Sequence, residues 1–234
     1  PEHAQLRRRA LARSTGQESR SSQRPPAPSV VGMTTINAIT LEVADPVAAK
    51  EFYAAAFDLD SQLDLRASDA PTSGFRGYTI SLVVSQPSTV DSLVDTATAA
   101  GATTLKPAVK GMWGYGGVVQ APDGAIWKIA TSSKKEVGPA TRTYDDLVVL
   151  LVVADVKAST RFYVDRGVEV AKSFGSKYVE FDTQNIKFGL YGRKALAKDA
   201  GVPEEGSGSH RIEIVGDVGT FADLDDFAWR SATA

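Results

Sequence analysis

Trp113 and Tyr115 stand two residues apart within Gly111-Met112-Trp113-Gly114-Tyr115-Gly116-Gly117. In an extended chain such a pair shares one face. The glycines beside them leave room for a flat molecule to stack on the rings; the plainer alternative is a pair of core aromatics. These glycines lack the Lys-Ser/Thr of a phosphate-binding loop and open no helix, so a dinucleotide or P-loop site is not expected. Arg76 and Lys128 are cations suited to orienting an anionic group, and Tyr78 adds a phenol near them. Glu42 shares a strand face with Ala38 and Thr40 by parity. In apolar surroundings its carboxylate would rise in pKa and act as a base. A surface carboxylate, or one paired with Lys128, is the rival reading.

Other chemistry is sparse. There is no cysteine, hence no disulfide, thiolate ligand or cysteine nucleophile. No Gly-x-Ser-x-Gly is present, and His3 and His210 are the two histidines. One histidine does not make a metal site, which takes three or four ligands. The net charge of −2 gives no electrostatic case for nucleic acid. No apolar run is long enough to span a membrane. The absence of cysteine suits a reducing cytoplasm.

The elements that must position these residues are readable. A β-branched run over 36–43 reads as a strand. Asp45-Pro46 opens a helix, with a capping carboxylate and proline at the first helical position. A short strand over 59–65, a turn at 71–74 and an apolar strand over 78–85 follow. Pro87 starts a second helix that ends at Ala100-Gly101-Ala102. A strand at 103–106 precedes a hairpin around Pro122-Asp123-Gly124. The remainder reads as a strand over 147–153, a helix capped by Asp155, a strand over 186–191 and a small helix over 193–200.

The order repeats. Ala44-Asp45-Pro46-Val47-Ala48-Ala49-Lys50-Glu51-Phe52-Tyr53 matches Ala154-Asp155-Val156-Lys157-Ala158-Ser159-Thr160-Arg161-Phe162-Tyr163. Pro122-Asp123-Gly124-Ala125-Ile126-Trp127-Lys128 echoes Leu224-Asp225-Asp226-Phe227-Ala228-Trp229-Arg230. This is an internal duplication. It divides the chain into a first domain at 33–132, a linker at 133–143 and a shortened second domain at 144–234. Residues 1–32 carry six Arg and two Glu with a Pro-rich end, lack the apolar core of a signal peptide, and read as a disordered arm. An Arg-rich targeting segment is the alternative, and Met33 offers another start.

The duplicated strand, Val-x-Asp helix with Phe-Tyr, and Pro-Asp-Gly turn before Trp resemble the vicinal oxygen chelate superfamily of glyoxalase I, bleomycin-resistance proteins and extradiol dioxygenases. The resemblance implies an α+β fold of tandem glyoxalase-like domains. Each is built from βαβββ-type modules that curl in pairs into a cup around a ligand or metal. Two modules are too short. About 20 residues between Phe57 and Tyr78 do not hold three strands, so the first module lacks a hairpin. After His210 there is no room for a crossover helix, so the fourth is truncated. The cups are then incomplete unless each other or a second chain completes them.

The resemblance also implies metal ligands on first and last strands. Here the first-strand positions hold Ala38 and Val148, and the positions after the final Trp hold Lys128 and Arg230. His210 alone matches a ligand position. No cofactor is expected, and a divalent metal is not expected. Glu42, Arg76, Tyr78, Trp113, Tyr115 and Lys128 would line the first cup, with Tyr178 and Tyr191 in similar roles in the second half.

The resulting expectation is a cytoplasmic binding protein that sequesters a small planar or hydrophobic ligand, with no nucleic-acid or membrane partner and a homodimer as an allowed assembly. Two rivals stand beside it. One is a glyoxalase or isomerase-type enzyme, using His210-held metal or metal-free proton transfer by Glu42. The other is a degenerate pair of domains serving dimerisation. Fold alone does not choose among them.

Overall fold

A computed structural model describes residues 33–59, 61–112 and 114–232, so the arm at 1–32 and Trp113 lie outside the described residues. The first module is β1 (Thr34–Val43), α1 (Pro46–Phe57) and β2 (Leu63–Ala67), and β3 (Thr72–Gly74) leads out of it. The second is β4 (Tyr78–Val83), α2 (Pro87–Ala99), β5 (Thr103–Gly111), β6 (Gly114–Gln120) and β7 (Ile126–Thr131). The third is β8 (Asp146–Val153), α3 (Val156–Val164), β9 (Val170–Ser173), β10 (Tyr178–Phe181) and β11 (Thr183–Gly192). Then come α4 (Arg193–Ala200) and β12 (Gly206–Gly208). The last module is β13 (Ile212–Gly216), β14 (Phe221–Ala222) and β15 (Ala228–Ser231).

The two helices at the repeat start alike for one reason. Asp45 accepts from the amides of Val47 and Ala48, and Asp155 from those of Lys157 and Ala158, filling donors that a helix start leaves open. At the end of α2, Gly101 takes φ 111°, the left-handed turn expected there. The first module lacks its hairpin and the last lacks its helix, as their lengths require.

The linker at 133–143 separates the repeats along the chain, but in the sheet the repeats interleave. In each module the first strand pairs in parallel with the last: β1 with β2, β4 with β7, β8 with β11, β13 with β15. Antiparallel pairing then joins β4 to β8 and β1 to β13. The middle modules thus form an eight-stranded arc, β5-β6-β7-β4-β8-β11-β10-β9. The first and last modules form a five-stranded arc, β2-β1-β13-β15-β14. Short parallel pairing of Thr34–Ile36 with Thr183–Asn185 links the two.

Alternation along the strands sorts the side chains. Ile39, Leu41, Tyr78, Ile80, Leu82, Val149, Leu151, Phe188, Leu190, Ile212 and Ile214 face the helices in one large core. The other face of the eight-stranded arc carries a second cluster, in which Leu196, Ala197 and Ala200 of α4 pack with Val118, Ile126 and Val152.

Candidate functional site

The helix α4 lies inside the eight-stranded arc. Its eight residues span about 12 Å, yet it touches β4, β8 and β11 and is bonded by Lys106 of β5. In a flat sheet β5 and β11, five places apart, would be about 24 Å away from each other. The sheet therefore curls around α4, forming a cup, and α4 fills one part of it. Lys106 Nζ donates to the carbonyls of Lys198 and Asp199 at 2.7 and 2.8 Å, satisfying acceptors that a helix end leaves open. Gly201 follows at φ 78°, where a Cβ would press on the Lys106 side chain. Lys128 Nζ pairs with Asp199 Oδ2 at 2.7 Å.

Beside α4 a cavity of about 320 Å³ opens, bordered by Lys106, Val109, Met112, Tyr115, Lys128 and Asp199. Of the expected ligand residues, Lys128 points into it; Tyr115 lies on its border strand, but its ring points to the opposite face of β6, toward α2. The glycines do not free space as expected. A Cβ on Gly114 or Gly116 would run into the backbone of Thr131 or Ile129 on β7, and one on Gly117 would touch Val94 of α2. Their job is close strand and helix packing. Tyr115 Oη donates to Asp91 of α2 at 2.7 Å, which raises its pKa. A larger hollow of about 430 Å³ lies between α1 and the Pro122-Asp123 turn, away from the strand faces that line either cup.

The remaining expected residues stand elsewhere. Tyr78 faces the helices; it is buried, its hydroxyl has no hydrogen-bond partner among the described residues, and burial pushes its pKa up. Arg76 reaches the carbonyl of Asp123 at 2.5 Å and covers Gly124. Glu42 lies in the five-stranded arc, 2.7 Å from Arg66. Arg66 also holds Glu213 at 3.1 Å, and Arg230 meets the same Glu213 oxygen at 3.1 Å. The apolar surroundings that a general base needs are replaced by guanidinium groups. Tyr178 and Tyr191 pack at 5.2 Å on the concave face of the larger arc. The residues expected to line the first cup are thus divided between the two arcs and the core.

Each cation after the core tryptophan has found a carboxylate: Lys128 with Asp199, Arg230 with Glu213. His210 turns Nδ1 to the carbonyl of Arg76 at 2.6 Å and Nε2 to that of Asp225 at 3.0 Å, and stacks on Phe227 at 3.9 Å. Among the described residues no three His, Cys, Asp or Glu are grouped to hold a metal. The donor set does not fit a divalent ion: the carboxylates Glu42, Glu213 and Asp199 already carry cations, and His210 is turned to the backbone.

Both Phe-Tyr pairs serve the core. Tyr53 Oη donates to Asp123 at 2.6 Å and accepts from Trp127 Nε1 at 3.4 Å. Tyr163 Oη donates to Asp223 at 2.6 Å and accepts from Trp229 Nε1 at 3.0 Å. Burial, reinforced by the neighbouring carboxylate, raises both phenols well above 10. Burial also raises the Asp223 carboxyl.

Residues missed from the sequence are Lys106, Asp199, Arg66 and Glu213. The apolar spacing of Leu196, Ala197 and Ala200 signalled a buried helix face; the parity of Arg66 with Asp64 placed it beside the first strand's Glu42 face only once β2 was known to pair with β1.

No protein-family model matches the sequence, and no curated protein matches it. Solved structures do. A V278E mutant of glyoxalase I from Zea mays is similar at 12% identity and a TM-score of 0.55, over 85% of this chain and 92% of that one. Glyoxalase I from Zea mays is similar at 13% identity and a TM-score of 0.52, over 79% of this chain and 75% of that one. The chain has a glyoxalase-like fold. No helix among the described residues is long and apolar enough to cross a membrane.

Proposed function

We propose that this chain binds a small planar or hydrophobic molecule carrying an anionic group, without a metal centre. The observation that carries the reading is the cavity beside α4. Its volume of about 320 Å³ falls in the range of ligand pockets, about 300–1,000 Å³, which are mainly apolar with a few placed polar groups. Val109, Met112 and Val118 supply the apolar border, and Lys106 and Lys128 supply charge for an anion. A cytoplasmic setting belongs to this reading.

The test uses anilinonaphthalene sulfonate, a planar anion, titrated into the full chain with fluorescence detection. Saturable one-to-one binding that weakens about tenfold in Lys128→Ala and in Met112→Ala supports the reading. Binding unchanged in both variants, or none, overturns it.

A further inference from the structure

We propose that β2 is the interface of a twofold dimer, pairing antiparallel with β2 of a second copy of this chain. The missing hairpin of the first module leaves β2 as an edge. Its contacts within the fold are to β1 and α1, and the groove alongside it, lined by Val47, Lys50, Leu59, Leu63 and Leu65, measures about 480 Å³. Val47 is 70% exposed there.

The hydrogen-bond phase of β2 suits such pairing. Ile39 N donates to Gln62 O, and Ser68 N donates to Val43 O. Bonds in a parallel ladder use alternate residues, so the even-numbered residues of β2 bond inward to β1. The backbone groups of Leu63, Leu65 and Ala67 then face outward. An antiparallel pairing centred on Leu65 lets each Leu65 give and accept a bond with its copy. Leu63 pairs with Ala67 of the other chain in the same way.

The strand is self-complementary in charge. In this register Asp64 of one copy lies opposite Arg66 of the other, twice, on the concave face where directly opposed side chains meet. Asp64 has no ion pair among the described residues. Arg66 already sits on that face with Glu42 and Glu213. On the helix side, Leu63 and Leu65 of the second copy cover the groove beside Val47. An unpaired edge strand is a template for pairing with another chain, and a twofold contact requires a surface that matches itself.

The test is sedimentation velocity of the full chain across a concentration series. The expected species has twice the mass of the 24.8 kDa chain. Asp64→Arg opposes two arginines across the dyad and should return it to the single-chain mass. Because the chain has no cysteine, Leu65→Cys gives an independent check: mild oxidation should convert it to a covalent dimer, with Cα atoms about 5.5 Å apart as in a bonded pair. A chain that stays at 24.8 kDa with no Leu65→Cys crosslink, or a dimer that Asp64→Arg does not disturb, overturns the proposal.

Discussion

Lys128 and Asp199 meet at 2.7 Å, tying the strand that bears the core tryptophan Trp127 to the helix lodged in the larger cup. The contact has two possible roles, holding α4 in place or masking a cation, and they separate by measurement. Lys128 and Asp199 side chains are 35% and 43% exposed, and such pairs contribute about 0–1 kcal/mol. Asp199→Ala should therefore lower unfolding free energy by about 1 kcal/mol at most. It should also free Lys128 and tighten anilinonaphthalene sulfonate binding. Leu196→Ala, at a fully buried position, should cost about 2–5 kcal/mol. Urea unfolding and the dye titration check both; Asp199→Ala with weakened dye binding would contradict the masking role.

The duplicated tyrosines carry the next expectation. Tyr53 and Tyr163 each give a hydrogen bond to a carboxylate at 2.6 Å, part-buried at Asp123 and buried at Asp223. Hydrogen bonds to charged groups contribute about 1.5–3 kcal/mol. Tyr53→Phe and Tyr163→Phe should each destabilise by about that amount. The two triads share no partner, so the double variant should equal the sum within about 0.5 kcal/mol. A double-mutant cycle by urea unfolding reads this directly.

These motifs also show how far the sequence reaches. The Phe-Tyr repeat and its capping Asp45 and Asp155 were legible because they are local and recur. The lost hairpin before Tyr78 was legible from length. The partner of each tyrosine was only half legible. The echo aligns Asp123 with Asp225, yet Tyr163 bonds to Asp223. Asp225 instead accepts from the Ala154 amide and the Ser159 hydroxyl at the start of α3. A two-residue shift of a carboxylate within a turn keeps the contact while breaking the alignment. The interleaved cups were not legible, because the pairing of β1 with β13 joins residues far apart in sequence. The face of α4 announced burial through Leu196 and Ala200, but nothing local says which surface it covers. Whether Glu42 meets an apolar cup or a cation is not legible locally, because its partner, Arg66, comes from a different strand.

Alkaline pH offers a further test. Tyr53 and Tyr163 have folded pKa values well above 10.0, raised first by burial and then by Asp123 and Asp223. The unfolded chain therefore loses these phenolic protons first. Stability from this source is intact below about pH 10 and falls as pH rises beyond it. Absorbance titration of the seven tyrosines should show a group that ionises only as the protein unfolds. Smooth ionisation of all seven in the folded state would contradict the buried triads.

His210 and the metal question are joined. Its ring bridges the carbonyls of Arg76 and Asp225 and lies on Phe227, so it fastens the segment entering β4 to the final turn. A neutral ring has one N–H and can donate to one of these carbonyls. His210→Ala should therefore lose that hydrogen bond, about 0.5–1.5 kcal/mol, together with the stacking on Phe227, with no metal present or added. A divalent ion held at a hundred times its dissociation constant would add about 2.7 kcal/mol. Thermal unfolding with and without zinc, nickel or manganese should show no such gain in the parent chain. The Arg66 and Arg230 guanidiniums already neutralise Glu42 and Glu213, and an ion entering there must displace them. A stabilisation of that size that disappears in His210→Ala would assign the histidine to a metal and overturn its role as a clasp between the two backbone segments.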